Sequence, residues 1–252
     1  MNNDKITSPG LVIRESPSKD NNAFITILTA TNGIVSATAY GARKTGASLS
    51  SGTRLFNYAD FVLVEGRGRW KVDACRSIES FFGLSKSIEA LTAASYFMEI
   101  LYDVCVSGQP DTEILRLALN SLYALMKEKR PVGLIKAVFE LRLLAEAGFT
   151  PDLDACGGCE SEEAAFFSAD DACLYCRACG EMHAESPHNL FPVSAGAVQA
   201  MRYIVSAPME KLFSFSVGEE SAKMLEALAE RYVTVQTGRR YDSLHIYHSL
   251  MG

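Results

Sequence analysis

The chain has 252 residues, 48% of them apolar, and a formal net charge of −6. That length suits one large domain or two ordinary ones, and that composition supports a packed core rather than disorder. No apolar run approaches the ~20 residues that a bilayer span needs, and the polar start Met1–Lys5 leads into no signal-peptide core. The expectation is a soluble, intracellular protein. The mean charge hides an asymmetry: through Phe82 there are 10 Lys+Arg against 7 Asp+Glu, and beyond it 14 against 23. A basic module joined to an acidic one is expected.

The first part reads as short strands. Gly10–Arg14 is a short extended run, and Phe24–Leu28 is β-branched and aromatic. Asn32-Gly33 is a hairpin signal, with Ile34–Tyr40 as the returning strand. Phe61–Val64 runs into the turn Glu65–Arg69, after which Trp70–Ala74 alternates with period two. About five strands in some seventy residues predict a small Greek-key barrel of the OB type. Gly41–Arg54 is Gly/Ser-rich and carries only positive charge, so it is expected to be a mobile basic loop.

Composition changes near Gly83, placing a boundary between residues 1–82 and 83–252. Ile88, Leu91, Ser95, Met98, Tyr102 and Cys105 form one helical stripe, and Ile114, Leu115, Ala118, Leu119, Leu122 and Leu125 a second. Pro131 can open a third helix carrying Leu134, Ile135, Val138, Leu141 and Leu144, ended by Gly148 with Pro151 beyond. Ser194–Val205 and Glu219–Val235 are helical again. The fold class is therefore α+β: an N-terminal OB barrel, then a helical domain with an inserted cysteine-rich segment over 154–181.

That segment holds five of the seven cysteines. Cys156-Gly157-Gly158-Cys159 is followed after sixteen residues by Cys176-Arg177-Ala178-Cys179. Two residues between cysteines let both sulfurs of a tight turn face one ion, and the two glycines are expected to supply unusual backbone angles there. Zinc takes four such thiolates in a tetrahedron. Either Cys173 or Cys179 can be the fourth ligand. Cys179 is favoured, because Gly180 follows it as Gly157 follows Cys156, and His183 is a weaker substitute. Four protein ligands leave no open position, so the site is expected to be structural. No His-Glu-x-x-His arrangement supplies a general base, and no enzyme activity is expected.

Arg43, Lys44, Arg54, Arg67, Arg69 and Lys71 sit on or beside the predicted barrel turns. They are the candidate DNA-binding set, with Tyr40, Phe56, Tyr58 and Trp70 as possible stacking surfaces. Core packing is the competing reading of the aromatics. Two other classes compete for the whole chain: a zinc-dependent nucleic-acid enzyme in which Cys173 frees a coordination position, and an adaptor whose barrel binds peptide.

Several segments resemble the RecO family. They are Tyr40-Gly41-Ala42-Arg43-Lys44, the helix and exit Phe139–Leu153, the four cysteines Cys156, Cys159, Cys176 and Cys179, Phe166-Phe167-Ser168, Arg231-Tyr232 and Gly238–Leu244. The resemblance implies an OB fold, a helical second domain and a structural zinc. It implies binding of single- and double-stranded DNA, annealing of complementary strands, and work with RecR to load RecA onto DNA coated by single-stranded-DNA-binding protein. It also implies a bacterial, cytoplasmic, nucleoid-associated protein. Ala172-Cys173 departs from the two glycines of many members, and the uncharged Thr45–Ser51 shifts expected DNA contact toward Arg54 and the Gly66–Trp70 turn. Arg142, on the resembling helix, can face a partner pocket or cap acidic neighbours.

Overall fold

The structure is a computed structural model that describes residues 4–66, 68–182 and 189–251. The chain divides into two compact units, residues 1–126 with 245–252, and residues 127–244.

The first unit contains a closed five-stranded barrel in the order β1-β2-β3-β5-β4. Its strands are β1 (Lys5–Pro17), β2 (Ala23–Thr29), β3 (Gly33–Ala39), β4 (Asn57–Gly66) and β5 (Arg69–Ser80). All neighbours are antiparallel except β3 and β5, whose parallel pairing closes the barrel as the OB topology does. Val12, Ile25, Ile27, Val35, Phe61 and Leu63 fill the interior. The Asn32-Gly33 turn forms as expected: Thr29 Oγ1 donates to the Gly33 carbonyl at 2.8 Å and accepts from the Asn32 amide at 3.1 Å. Two differences stand out. β1 is far longer than its Gly10–Arg14 run, with a bulge between Val12 and Arg14 that buries Leu11, Val12 and Ile13 in succession. The loop after β3 is folded rather than free. Asn22 Oδ1 accepts from the Gly41 amide at 2.7 Å, the Arg43 amide donates to the Asn21 carbonyl at 2.9 Å, and Ala42 is buried in the barrel core.

Two helices follow in this unit, α1 (Ile88–Val104) and α2 (Thr112–Lys127). The buried face of α1 is not the expected stripe. Met98 is buried as expected, but Ile88 and Tyr102 are exposed, and Ala90, Ala93, Ala94, Phe97 and Leu101 are buried beside Met98. Small alanines admit a close neighbour, so they define the contact face more strongly than the larger residues at the helix ends.

In the second unit, α3 (Val132–Glu146) is buried along almost its whole length, from Gly133 to Leu144. Pro131 is its N-cap rather than part of its first turn. Gly148, at φ +92°, follows its last turn. The Phe149 amide reaches the Leu144 carbonyl at 2.8 Å and the Gly148 amide reaches Ala145 at 3.2 Å, a Schellman cap that turns the chain sharply away. The cysteine-rich segment follows, then α5 (Ala195–Ser206) and α6 (Glu219–Thr237), both packed against α3. A last helix, α7 (Asp242–Met251), was not expected from periodicity.

The buried face of α3 carries charge. Lys136 Nζ lies 3.1 Å from Glu140 Oε1 and 3.0 Å from Glu230 Oε2 on α6. Burial alone pulls the ammonium pKa down, but the two carboxylates outweigh it and hold Lys136 charged. Arg142 does not face an open pocket. Its Nε donates to Glu146 at 2.7 Å, and its Nη1 donates to the carbonyls of Ile204, Val205 and Ala207 at 3.0 Å each, tying α3 to the C-terminal end of α5. Substituting Lys136→Met removes the ammonium that both carboxylates share. A loss of about 3–5 kcal/mol is expected, measured as a lower urea midpoint by circular dichroism.

Candidate metal centre and nucleic-acid interface

The cysteine segment is a four-stranded sheet of order β6-β8-β7-β9. Its strands are β6 (Asp152–Cys156), β7 (Phe166–Ser168), β8 (Cys173–Tyr175) and β9 (Leu190–Pro192), and the six-residue α4 (Arg177–Met182) follows β8. β6 and β8 run parallel, so each delivers one cysteine pair from its C-terminal end toward the same point. The sulfurs of Cys156, Cys159, Cys176 and Cys179 all lie within 4.8 Å of one another. Cys159 Sγ and Cys176 Sγ are 3.7 Å apart. A tetrahedron with metal–sulfur arms of about 2.3 Å has edges of about 3.8 Å, so this separation suits zinc. Cys179 therefore completes the group. Cys173 does not belong to it, and burial pushes its thiol pKa up.

Main-chain amides point at these sulfurs. Gly158 N and Cys176 N lie 3.4 and 3.3 Å from Cys156 Sγ, and Cys179 N lies 3.5 Å from Cys176 Sγ. Donors aimed at sulfur favour thiolate. For Cys156, burial works against ionisation, yet the amides of Cys176, Gly158 and Cys159 prevail and bring the thiol down to about 6. Cys179, crowded by the Cys159 and Cys176 thiols, is pushed up to about 12. Four sulfurs so close resist being charged together unless a cation sits among them. The two glycines of the first turn serve otherwise than expected. Neither has positive φ. A Cβ on Gly157 would stand 2.7 Å from Cys173 Sγ, and one on Gly158 3.0 Å from Cys179 Sγ, so they are glycines because sulfur occupies the space. The residues present thus fit a divalent metal of zinc's size and softness. Arg202, on α5, donates to the carbonyls of Leu153 and Asp154 at 2.8 and 3.0 Å and ties the first cysteine strand to the helices.

The barrel carries a groove of about 680 Å³ on its outer face, crossing β1, β2, β3 and the start of β5. Ser16, Thr26, Ser36 and Thr38 give it a small polar floor, and Arg14, Phe24, Arg69 and Trp70 stand at its sides. Phe24 is 52% exposed. Trp70 packs one side on the barrel core while also lining the groove. The Arg14 guanidinium lies 4.1 Å from the ring centroid of Tyr102 on α1, which fixes its position.

The expected basic residues divide accordingly. Arg69 lines the groove, and Lys71 pairs with Thr38, one of its floor residues. Arg43 and Arg54, at the two ends of the folded loop, both approach Glu15, at 3.5 and 3.1 Å. Lys44 is exposed in the same loop. Arg67 and His183 lie outside the described residues. Of the four expected stacking residues, only Trp70 is in the groove; Tyr40 is exposed, Phe56 is buried and Tyr58 is half-buried elsewhere on the barrel. Arg14, Glu15 and Phe24 are additions. Phe24 was detectable by strand alternation, since it shares outward parity with Thr26's neighbour Ser36 across the β2–β3 pairing. Arg14 was not, because the bulge resets the alternation just before it.

A family model described as Recombination protein O N terminal matches residues 1–81, and one described as Recombination protein O C terminal matches residues 85–245. The chain belongs to the RecO family. Curated relatives agree. The DNA repair protein RecO of Acetivibrio thermocellus is 35% identical over 247 residues, covering 97% of each chain. That of Alkaliphilus metalliredigens is 28% identical over 244 residues, covering 96% of this chain and 98% of its own. That of Rubrobacter xylanophilus is 28% identical over 219 residues, covering 86% and 87%. The barrel and the four-cysteine group thus lie in a RecO-family chain, and among the described residues no helix is long and apolar enough to cross a membrane.

Removing one sulfur from the group should empty it, whereas removing the neighbouring thiol should not. Metal analysis of the purified protein is expected to give about one ion per chain for the parent and for Cys173→Ser, and close to none for Cys156→Ser or Cys179→Ser.

Proposed function

We propose that this RecO-family protein is a non-enzymatic mediator that binds single- and double-stranded DNA along the barrel groove. In this reading it anneals complementary strands and works with RecR to load RecA onto DNA coated by single-stranded-DNA-binding protein, in the bacterial cytoplasm at the nucleoid. The observation that carries it is the groove itself, where exposed Phe24 and half-buried Trp70 stand beside Arg14 and Arg69 over a floor of hydroxyls. Guanidinium groups neutralise phosphates, and aromatic faces accept unstacked bases of any sequence. Arg43, Lys44, Arg54 and Lys71 extend the cationic surface around it. The net charge of residues 1–82 is positive although the chain is acidic, which directs an anionic polymer to the barrel.

The four cysteines have a structural part in this reading. Zinc bound by Cys156, Cys159, Cys176 and Cys179 would have no open position for water or substrate, so it would supply folding energy to the β6–β9 sheet rather than chemistry. The amides aimed at Cys156 and Cys176 support thiolate ligands.

Phe24→Ala is expected to weaken single-strand binding by about 1–3 kcal/mol, with a smaller effect on duplex, whose bases are already stacked. Arg69→Ala is expected to weaken both and to lower the slope of log affinity against log salt by about 0.7–0.9. Fluorescence anisotropy of labelled oligonucleotides over a salt series measures both; equal affinities for parent and variants would contradict the reading.

A further inference from the structure

Glu15 stands where a surface for an anionic polymer ought to carry cations alone. It is the one carboxylate among the described residues lining the groove, and its side chain is only 14% exposed. Its Oε1 lies 3.1 Å from Arg54 Nη1 and 3.5 Å from Arg43 Nη1. Its Oε2 accepts from the Leu55 amide at 3.2 Å. A single carboxylate on β1 thereby gathers both ends of the basic loop.

The three contacts differ in kind. The Leu55 amide is main chain and fixes the carboxylate in place. The two guanidinium groups end long, flexible side chains, 36% and 48% exposed, and each has five N–H donors of which the Nη1 group faces Glu15. A carboxylate and a phosphate are interchangeable partners for such a fork. The local charge is one negative against two positive, half the net charge that Arg43 and Arg54 would otherwise present to a strand.

We propose that Glu15 is an internal counter-ion that stands in for a backbone phosphate: it keeps Arg43 and Arg54 at the rim of the groove and tempers the groove's affinity for DNA, so that a bound strand exchanges with Glu15 and can be released. The inference rests on the reading of the groove as the DNA-binding surface. It gives the expected loop cations a part despite their engagement within the protein. A protein that passes strands on benefits from such a competitor, because the guanidinium groups have a partner waiting when the phosphate leaves.

Glu15→Gln tests this in the full chain. Gln keeps an oxygen that can accept from Leu55 and removes the charge. The expected result, by anisotropy with a labelled oligo-dT strand over a salt series, is tighter binding at low salt. The salt slope should steepen by about 0.7, the share of one further neutralised phosphate on a single strand. Strand dissociation should slow in step. Glu15→Ser, which also lacks the charge, is the second variant and should steepen the slope in the same direction. Thermal melting verifies that each variant is folded. If the parent binds, Phe24→Ala weakens binding, and both folded Glu15 variants bind no more tightly than the parent, the groove reading stands and the counter-ion inference is overturned. If the parent does not bind, or Phe24→Ala binds as the parent does, the groove reading falls and the inference falls with it.

Discussion

Four sulfurs within 4.8 Å of one another set the terms for the second unit. Thiolates that close repel, and neutral thiols waste the amide donors aimed at them, so the arrangement is at ease only around a cation. The sheet that carries them is small: β7, β8 and β9 have three residues each, and besides cysteines its buried apolar residues are Leu153, Phe167, Leu174 and Tyr175. Such a sheet lacks the apolar area to hold itself together. Its supports are the sulfur cluster at one end, the Schellman cap at Gly148 that aims the chain into β6, and Arg202, which grips the β6 carbonyls from α5.

The helical scaffold around it rests on polar groups as much as on packing. α3 is buried on every side, so it has no wet face on which to put charge, yet it contains Lys136, Glu140 and Arg142. Each charge is met by partners that fix a neighbour's position: Lys136 binds α6 through Glu230, and Arg142 binds three carbonyls at the end of α5. Buried charges of this kind specify register more than they add stability. In the proposed function the surface for DNA is the barrel groove, lined by hydroxyl, cationic and aromatic side chains.

How far all this was legible depends on the distance over which each feature is encoded. The cysteine pairs are local, two residues apart within one turn, so both were legible, but the same spacing also joins Cys173 to Cys176, and only the folded sulfur positions favour Cys179. The Asn32-Gly33 turn is equally local. The groove is not: it is assembled from four strands, and Glu15, Thr26 and Arg69 become neighbours only through pairing. The β1 bulge defeats alternation at Arg14, and the α1 stripe failed because alanines, which carry little hydrophobic weight in a periodicity, make the close contacts. Gly157 and Gly158 mark a tight turn in the sequence, but their need is for space beside sulfur and not for a left-handed backbone. The resembling segment Phe139–Leu153 is recognisable as sequence, but the carbonyl partners of Arg142 lie more than sixty residues away at the end of α5 and are set by the fold.

The claim on which the functional reading turns is that the metal centre is closed, which leaves the barrel as the working surface. X-ray absorption at the zinc edge of the purified, full-length protein tests it most directly. A first shell of sulfur alone, four atoms at about 2.3 Å, is the predicted result. An oxygen or nitrogen scatterer in that shell, marking a position open to water, would contradict it, as would a protein that carries no zinc.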